Sequence, residues 1–152
     1  MHKTIIADTS CFIILCKIGE LDILKKLYGS VIITNEVANE YNTKFPDWVE
    51  IKTVADIHRQ QILEIQVDKG EASAIALALE IADSVVILDD YKARKIAETL
   101  GLDVTGTIGV IIKAKHSGLI QSIKPLIDKI KKTDFRMTTE LENQALKEAE
   151  EL

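Results

Sequence analysis

The residues best suited to chemistry in this chain are acids, and most stand where an apolar run stops. Asp8 follows "TIIA" and precedes "TS"; Asp89 and Asp90 follow "SVVIL". Glu71 comes directly after Gly70 and opens a stretch rich in Ala and Leu. Glu36 and Glu40 are four residues apart, on one face of a helix, where like charges mildly repel. Glu36 reads as solvated, whereas the apolar line of Val37 and Tyr41 directs Glu40 toward the protein. A single acid at such a place serves as a helix N-cap or sits well in a first helical turn. Two adjacent carboxylates need an offset, which a divalent cation supplies. An all-oxygen, carboxylate-rich set suits Mg²⁺ or Mn²⁺.

Other chemistries lack their parts. His2, His58 and His116 are isolated, with no HxxxH or Cys/His cluster for zinc. Cys11 and Cys16 form neither a CxxC pair nor a disulfide framework and read as two reduced core thiols. There is no GxGxxG, no P-loop and no G-x-S-x-G elbow. Ser10 has no evident His partner for a nucleophilic role. "DTS" has no second aspartate two residues after Asp8, which disfavours an aspartyl-phosphate phosphatase. A receiver-type regulator needs its acidic pair after the first strand, and here the pair comes late.

The elements that position these acids alternate. "KTIIAD" and "SVIIT" read as strands, as do "SVVIL" and the brief "LDVTG". "WVEIKTV" reads as a short edge strand. Helices are expected over "TSCFIILCKIG", ended by Gly19, and "ELDILKKLYG", ended by Gly29. "EVANEYNTKF" is expected to be capped by Thr34 or Asn35 and to stop before Pro46. "DIHRQQILEIQV" is a further helix, and "KGEASAIALALEIA" one that is buried. "DYKARKIAETLG" should turn Ala93, Ile96, Ala97 and Leu100 inward. "TIGVIIKAKHSG", with Thr107 as a cap after Gly106, "IQSIKPLIDKIKKT" and the polar "TTELENQALKEAEEL" complete the helices. Continuous apolar strands imply burial on both faces, so the pattern predicts an α/β sandwich around a mainly parallel sheet. Sites in such sheets lie beyond the carboxyl ends of the strands, where Asp8 and the Asp89–Asp90 pair fall.

With 152 residues, 47% apolar and 28% charged, the chain fits one globular domain with a single sizeable core. A net charge of -5 argues against generic polyanion binding, while leaving room for a local basic face. No apolar run reaches membrane-span length. "MHKTIIADTS" has too short an apolar core for a signal peptide and no small-residue cleavage site, so a cytoplasmic location is expected.

Three stretches together resemble the PIN domain, in its prokaryotic branch of toxin–antitoxin ribonucleases. They are "IIADTSCFIILCKIGELDILKKLYGSVIITNEVANEY", "KGEASAIALALE" and "VVILDDYKARKIAETLGLDVTGTIGVIIKAK". The resemblance covers roughly residues 4–135, and residues 1–135 are expected to form the PIN-like domain. Residues 136–152 then form a C-terminal amphipathic helix, in the same domain or at a dimer or partner contact. The implied fold is three-layered, with a mainly parallel sheet of four or five strands flanked by helices.

The resemblance implies a site of four acids, Asp8, Glu40, Glu71 and Asp90. Asp8, Glu71, Asp90 and Asp89 would be the metal ligands, Asp89 standing where relatives carry a neutral polar residue. The small hydroxyl after the first acid corresponds to Thr9 or Ser10, and Thr105 falls near a strand end in a segment like that of the same branch. The implied activity is Mg²⁺- or Mn²⁺-dependent cleavage of RNA, with Ser10, Lys92, Arg94 and Thr105 toward the substrate. Lys95, Lys113, Lys115, Lys131 and Lys132 are further cations that could steer a polyanion. A small antitoxin and a homodimer are the implied partners, the dimer through "CFIILCKIGELDIL". A catalytically silent RNA- or protein-binding module is the alternative.

Overall fold

In the computed structural model, which describes residues 3–41 and 44–152, helices separate the strands as far as residue 105, and only helices follow. In chain order they are β1 (Thr4–Ala7), α1 (Thr9–Lys17), α2 (Asp22–Tyr28), β2 (Val31–Thr34), α3 (Asn35–Tyr41), β3 (Val49–Lys52), α4 (Ile57–Leu63) and α5 (Lys69–Glu80). There follow β4 (Ser84–Ile87), α6 (Tyr91–Thr99), β5 (Asp103–Thr105), α7 (Thr107–His116), α8 (Lys124–Ile130) and α9 (Thr139–Glu148). The helix expected through Phe45 is observed to Tyr41; Asn42 and Thr43, like His2, lie outside the described residues, and Lys44 and Phe45 are not helical.

The five strands form one sheet in the order β3-β2-β1-β4-β5, and every pairing is parallel. β1 aligns with β4 from Thr4 opposite Ser84 to Ala7 opposite Ile87. β-Branched runs fit this pleated, doubly covered setting. Their side chains alternate between two cores. Ile5, Ala7, Val31, Ile33 and Ile87 pack toward α1, α2, α7 and α8. Ile6, Ile32, Val86 and Leu88 pack toward α5 and α6. The sheet is therefore the middle of three layers. "VEIK" forms the edge strand β3, whose residues are mostly exposed.

α5 lies across the centre of one face, with Ala72, Ala74, Ala76 and Ala78 all buried. α9 belongs to the opposite core through Ala145, Leu146 and, just after it, Ala149. Gly19 (φ +74°) and Gly29 (φ +78°) end α1 and α2 in the left-handed region, as expected of C-terminal glycines.

Two expectations about burial are corrected. Leu100 is 44% exposed, because it falls at the C-cap of α6, where the helix no longer presents its inward face. Cys11 is a core thiol, but Cys16 is exposed, five residues on along α1 and off its buried stripe. The apolar side chains Cys11, Phe12, Ile14, Leu15, Ile18, Ile23 and Leu24 of "CFIILCKIGELDIL" are buried in the core, and Ile13 is exposed.

Candidate functional site

β1 is central, and the chain leaves it toward β2 but leaves β4 toward β5. The carboxyl ends of β1 and β4 thus flank the point where winding reverses, the usual place for a site in such a sheet. Asp8 stands there, 6% exposed. It occupies the N-cap position of α1, yet its side chain makes no cap hydrogen bond. Its buried Oδ1 has no hydrogen-bond partner.

The two residues after Asp8 reach to opposite sides. Thr9 Oγ1 donates to Glu40 Oε2 at 2.9 Å, and Ser10 Oγ donates to Asp89 Oδ2 at 2.7 Å. Glu40 comes from α3, which is held against α1 by the rings of Phe12, Tyr41 and Phe45 at centroid distances of 4.8–5.9 Å. Glu36, on the same helix, is half-buried and accepts Gln60 Nε2 at 2.6 Å, so it is not the freely solvated side chain expected.

Glu71 opens α5 in a capping box. Its N–H donates to Asp68 Oδ1 at 2.8 Å, and its own Oε1 accepts the Asp68 N–H at 3.2 Å. Asp90 is the N-cap of α6 and accepts the Ala93 N–H at 2.9 Å. Asp89 is spent differently. Besides Ser10, it accepts the Thr107 N–H at 2.7 Å and the Thr107 hydroxyl at 2.6 Å. Thr107 is therefore not the cap of α7; Gly106 holds that position, and the Thr107 hydroxyl faces back to β4.

The acids act on one another. Burial pushes the Asp8 carboxyl up to about 8; the Thr9 backbone amide opposes this, while the charges of Asp68, Glu71 and Glu40 add to it. Burial, with Asp68, Asp90 and Glu40 nearby, raises Glu71 to about 7. Five carboxylates thus share one negative field at the strand ends. Asp68 is the acid that sequence reasoning missed, although "DKGE" spells a capping box with Asp in the cap position.

Whether this set fits a divalent cation can be judged from its chemistry. The donors are all oxygens, Asp8 is buried with an orphan oxygen, and its burial, added to by the surrounding charges, drives it toward protonation unless a cation compensates. As the side chains stand, no three Asp, Glu, His or Cys residues among those described are grouped to hold an ion. Glu71 and Asp90 hydrogen-bond backbone amides, and Glu40 accepts a hydroxyl. The set fits in charge and donor type, and side-chain rotation would be needed to converge it.

A groove of about 540 Å³ lies between α6, α7 and α9, lined by Asp89, Tyr91, Arg94, Lys95, Glu98, Thr105 and Glu148 among others, and it meets the acids of the strand ends through Asp89. Arg94 also donates to the Leu88 carbonyl at 3.2 Å, which keeps its guanidinium near the end of β4. Lys92 is exposed on the same helix. The other expected cations lie elsewhere. Lys113 covers the ring of Tyr28 at 5.0 Å, Lys115 pairs with Glu151 at 3.1 Å, and Lys131 pairs with Glu142 at 2.9 Å. Lys132 lines a separate hollow with Lys17 and Lys129.

Residues 4–151 match the family described as PIN domain. The chain belongs to the PIN-domain family. The match runs through α9 almost to the last residue of the chain. PIN domains are generally nucleases and typically use divalent metals, and the five-stranded parallel sheet between helical layers agrees with that fold. Comparison with curated proteins and with solved structures finds no match. Among the described residues, no helix of this PIN domain is long and apolar enough to cross a membrane.

Proposed function

We propose that this PIN domain is a Mg²⁺- or Mn²⁺-dependent endoribonuclease, the toxin of a toxin–antitoxin pair, acting in the cytoplasm. The observation that carries the metal-dependent nuclease reading is the buried, unpartnered oxygen of Asp8 under the charges of Asp68, Glu71 and Glu40. The toxin role, a small antitoxin and a homodimer rest on the family resemblance alone.

In this reading Asp8, Glu40, Glu71 and Asp90 hold the metal. A bound Mg²⁺ or Mn²⁺ supplies charge neutralisation at the scissile phosphate and an acidified water. Asp89 keeps β4, α1 and α7 in register through Ser10 and Thr107, rather than serving as a ligand. Arg94 and Lys95 in the groove, with Lys92 exposed on the same helix, are the cations along which a single strand would lay its phosphates. Thr105 offers a hydroxyl in the same groove. Asp8 is the buried member of the set, Glu71 is half-buried, and Glu40 and Asp90 are exposed, so the site opens to solvent on the side from which a strand would approach.

The test is cleavage of RNA with added Mn²⁺, comparing the chain with Asp8→Asn. Metal-dependent cleavage that disappears in the variant supports the reading; cleavage in the presence of chelator contradicts it. A catalytically silent module is the second reading, favoured by the engagement of Glu71 and Asp90 as helix-terminus residues. Titration calorimetry separates the two, since a silent module binds no Mn²⁺ at millimolar concentration.

A further inference from the structure

Gly70 is buried at the second position of α5, and its missing side chain leaves room for another residue. A Cβ added there would lie 2.7 Å from both Cδ and Oε2 of Glu40, and closer still to Oε1. Non-bonded carbon atoms need about 3.5–4.0 Å. The Glu40 carboxylate therefore sits directly on the Gly70 backbone, pinned from the other side by the Thr9 hydroxyl.

The two helices that meet at this contact are fixed by a buried chain of hydroxyls. Ser73 Oγ donates to the Gly70 carbonyl at 2.7 Å. That uses the only proton of Ser73, so at 2.6 Å its oxygen accepts from Thr34 Oγ1. Thr34 Oγ1 in turn accepts the Val37 N–H at 3.1 Å. The chain has a single polarity, from the first turn of α3 through the end of β2 to the first turn of α5. Thr34 and Ser73 are both fully buried, so no water competes for these bonds. Glu40 lies three residues beyond Val37 on α3, and Glu71 directly follows Gly70 on α5.

We infer that Gly70 is a positioning residue. Its bare backbone is the seat of the Glu40 carboxylate, and the Thr34–Ser73 hydroxyl chain holds that seat in register with Glu40. The consequence for metal affinity rests on the metal-dependent reading above; the seat itself does not.

Gly70→Ala tests both parts. Alanine is favoured over glycine within a helix, so the variant should fold, with its Tm kept or raised. A carboxylate at the end of a flexible side chain can swing away, so the expected change is displacement of Glu40. A crystal structure of metal-free Gly70→Ala should show Glu40 off the Thr9 hydroxyl. A carboxylate still bonded to Thr9 overturns the inference.

Calorimetric Mn²⁺ titration should show affinity falling about tenfold or more in Gly70→Ala, as when a ligand's supporting group is lost. The same substitution added to Glu40→Gln should produce no further fall. Equal losses in both backgrounds, or none in either, overturn the metal part. If the unaltered chain itself binds no Mn²⁺, the metal-dependent reading fails, and the metal-free structure still decides the seat.

Discussion

The Ser10 hydroxyl donates to Asp89 at 2.7 Å, tying the first turn of α1 to the end of β4. Asp89 takes two more bonds from Thr107, at the first turn of α7. One carboxylate thereby joins three elements around the site. Asp89→Ala removes all three bonds and leaves the Thr107 amide without its acceptor. The expected cost is about 2–4 kcal/mol. Thermal unfolding should show Tm lower by about 10 °C. Asp89→Asn keeps an acceptor for the Thr107 amide and should lose less.

The raised Asp8 and Glu71 carboxyls make metal-free stability depend on pH in one direction. Above the ordinary carboxylate range, the folded protein binds more protons at these groups than the unfolded chain does. Their stabilising contribution is complete below the unfolded value and is lost as pH rises toward about 8 for Asp8 and about 7 for Glu71. With chelator present, Tm should fall between about pH 5 and pH 8. Asp8→Asn should flatten that slope and raise Tm at the alkaline end. Thermal scans across the range check both.

The C-terminus carries the opposite sign. Burial opposes ionisation of Glu151, but hydrogen bonds from Ser122, the Ile123 amide, Lys115 and the Lys124 amide hold its carboxyl down at about 2. Glu151 clasps the start of α8 to the end of the chain, and Lys115 also donates to the Ala149 carbonyl. Its contribution is present above the ordinary glutamate value and is lost as pH falls toward about 2. Glu151→Ala should cost about 1–3 kcal/mol. Denaturant melts at neutral pH measure it, and the difference from the unaltered chain should shrink in acid.

Arg94 and Lys95 line the groove that Asp89 borders, while Lys115 and Lys131 are committed to ion pairs. Removing a cation that meets a phosphate should lower the salt slope of RNA binding by about 0.7 per contact. Binding measured from low to moderate salt should show this for Lys95→Ala and Arg94→Ala. Lys131→Ala should leave the slope unchanged.

The strands were legible because "TIIA", "VIIT" and "SVVI" are apolar or β-branched throughout, a pattern that only a doubly covered sheet accommodates. The places of Asp8 and the Asp89–Asp90 pair followed, since acids after such strands emerge at the carboxyl edge. What the sequence concealed depends on long-range partners. The Asp89 bonds reach 18 residues forward to Thr107 and 79 back to Ser10. No local pattern shows that Gly70 lies against Glu40, 30 positions earlier in the numbering. Asp68 was locally visible as a capping-box residue, but its effect on Asp8 arises only when α5 crosses the sheet. Leu100 was misread because helical periodicity says less at the end of a helix, and Cys16 because it was read by residue type, although the buried line of Cys11, Phe12, Leu15 and Ile18 passes it by.

The most direct test of the metal-dependent site is Mn²⁺-stimulated cleavage of single-stranded RNA by Asp90→Asn beside the unaltered chain. Asparagine is also a good N-cap, so the Ala93 amide keeps its acceptor and Tm should hold. The account predicts an unchanged fold, cleavage lowered by about 100-fold or more, and weakened Mn²⁺ binding. Full cleavage by Asp90→Asn at the same Mn²⁺ concentration would contradict it.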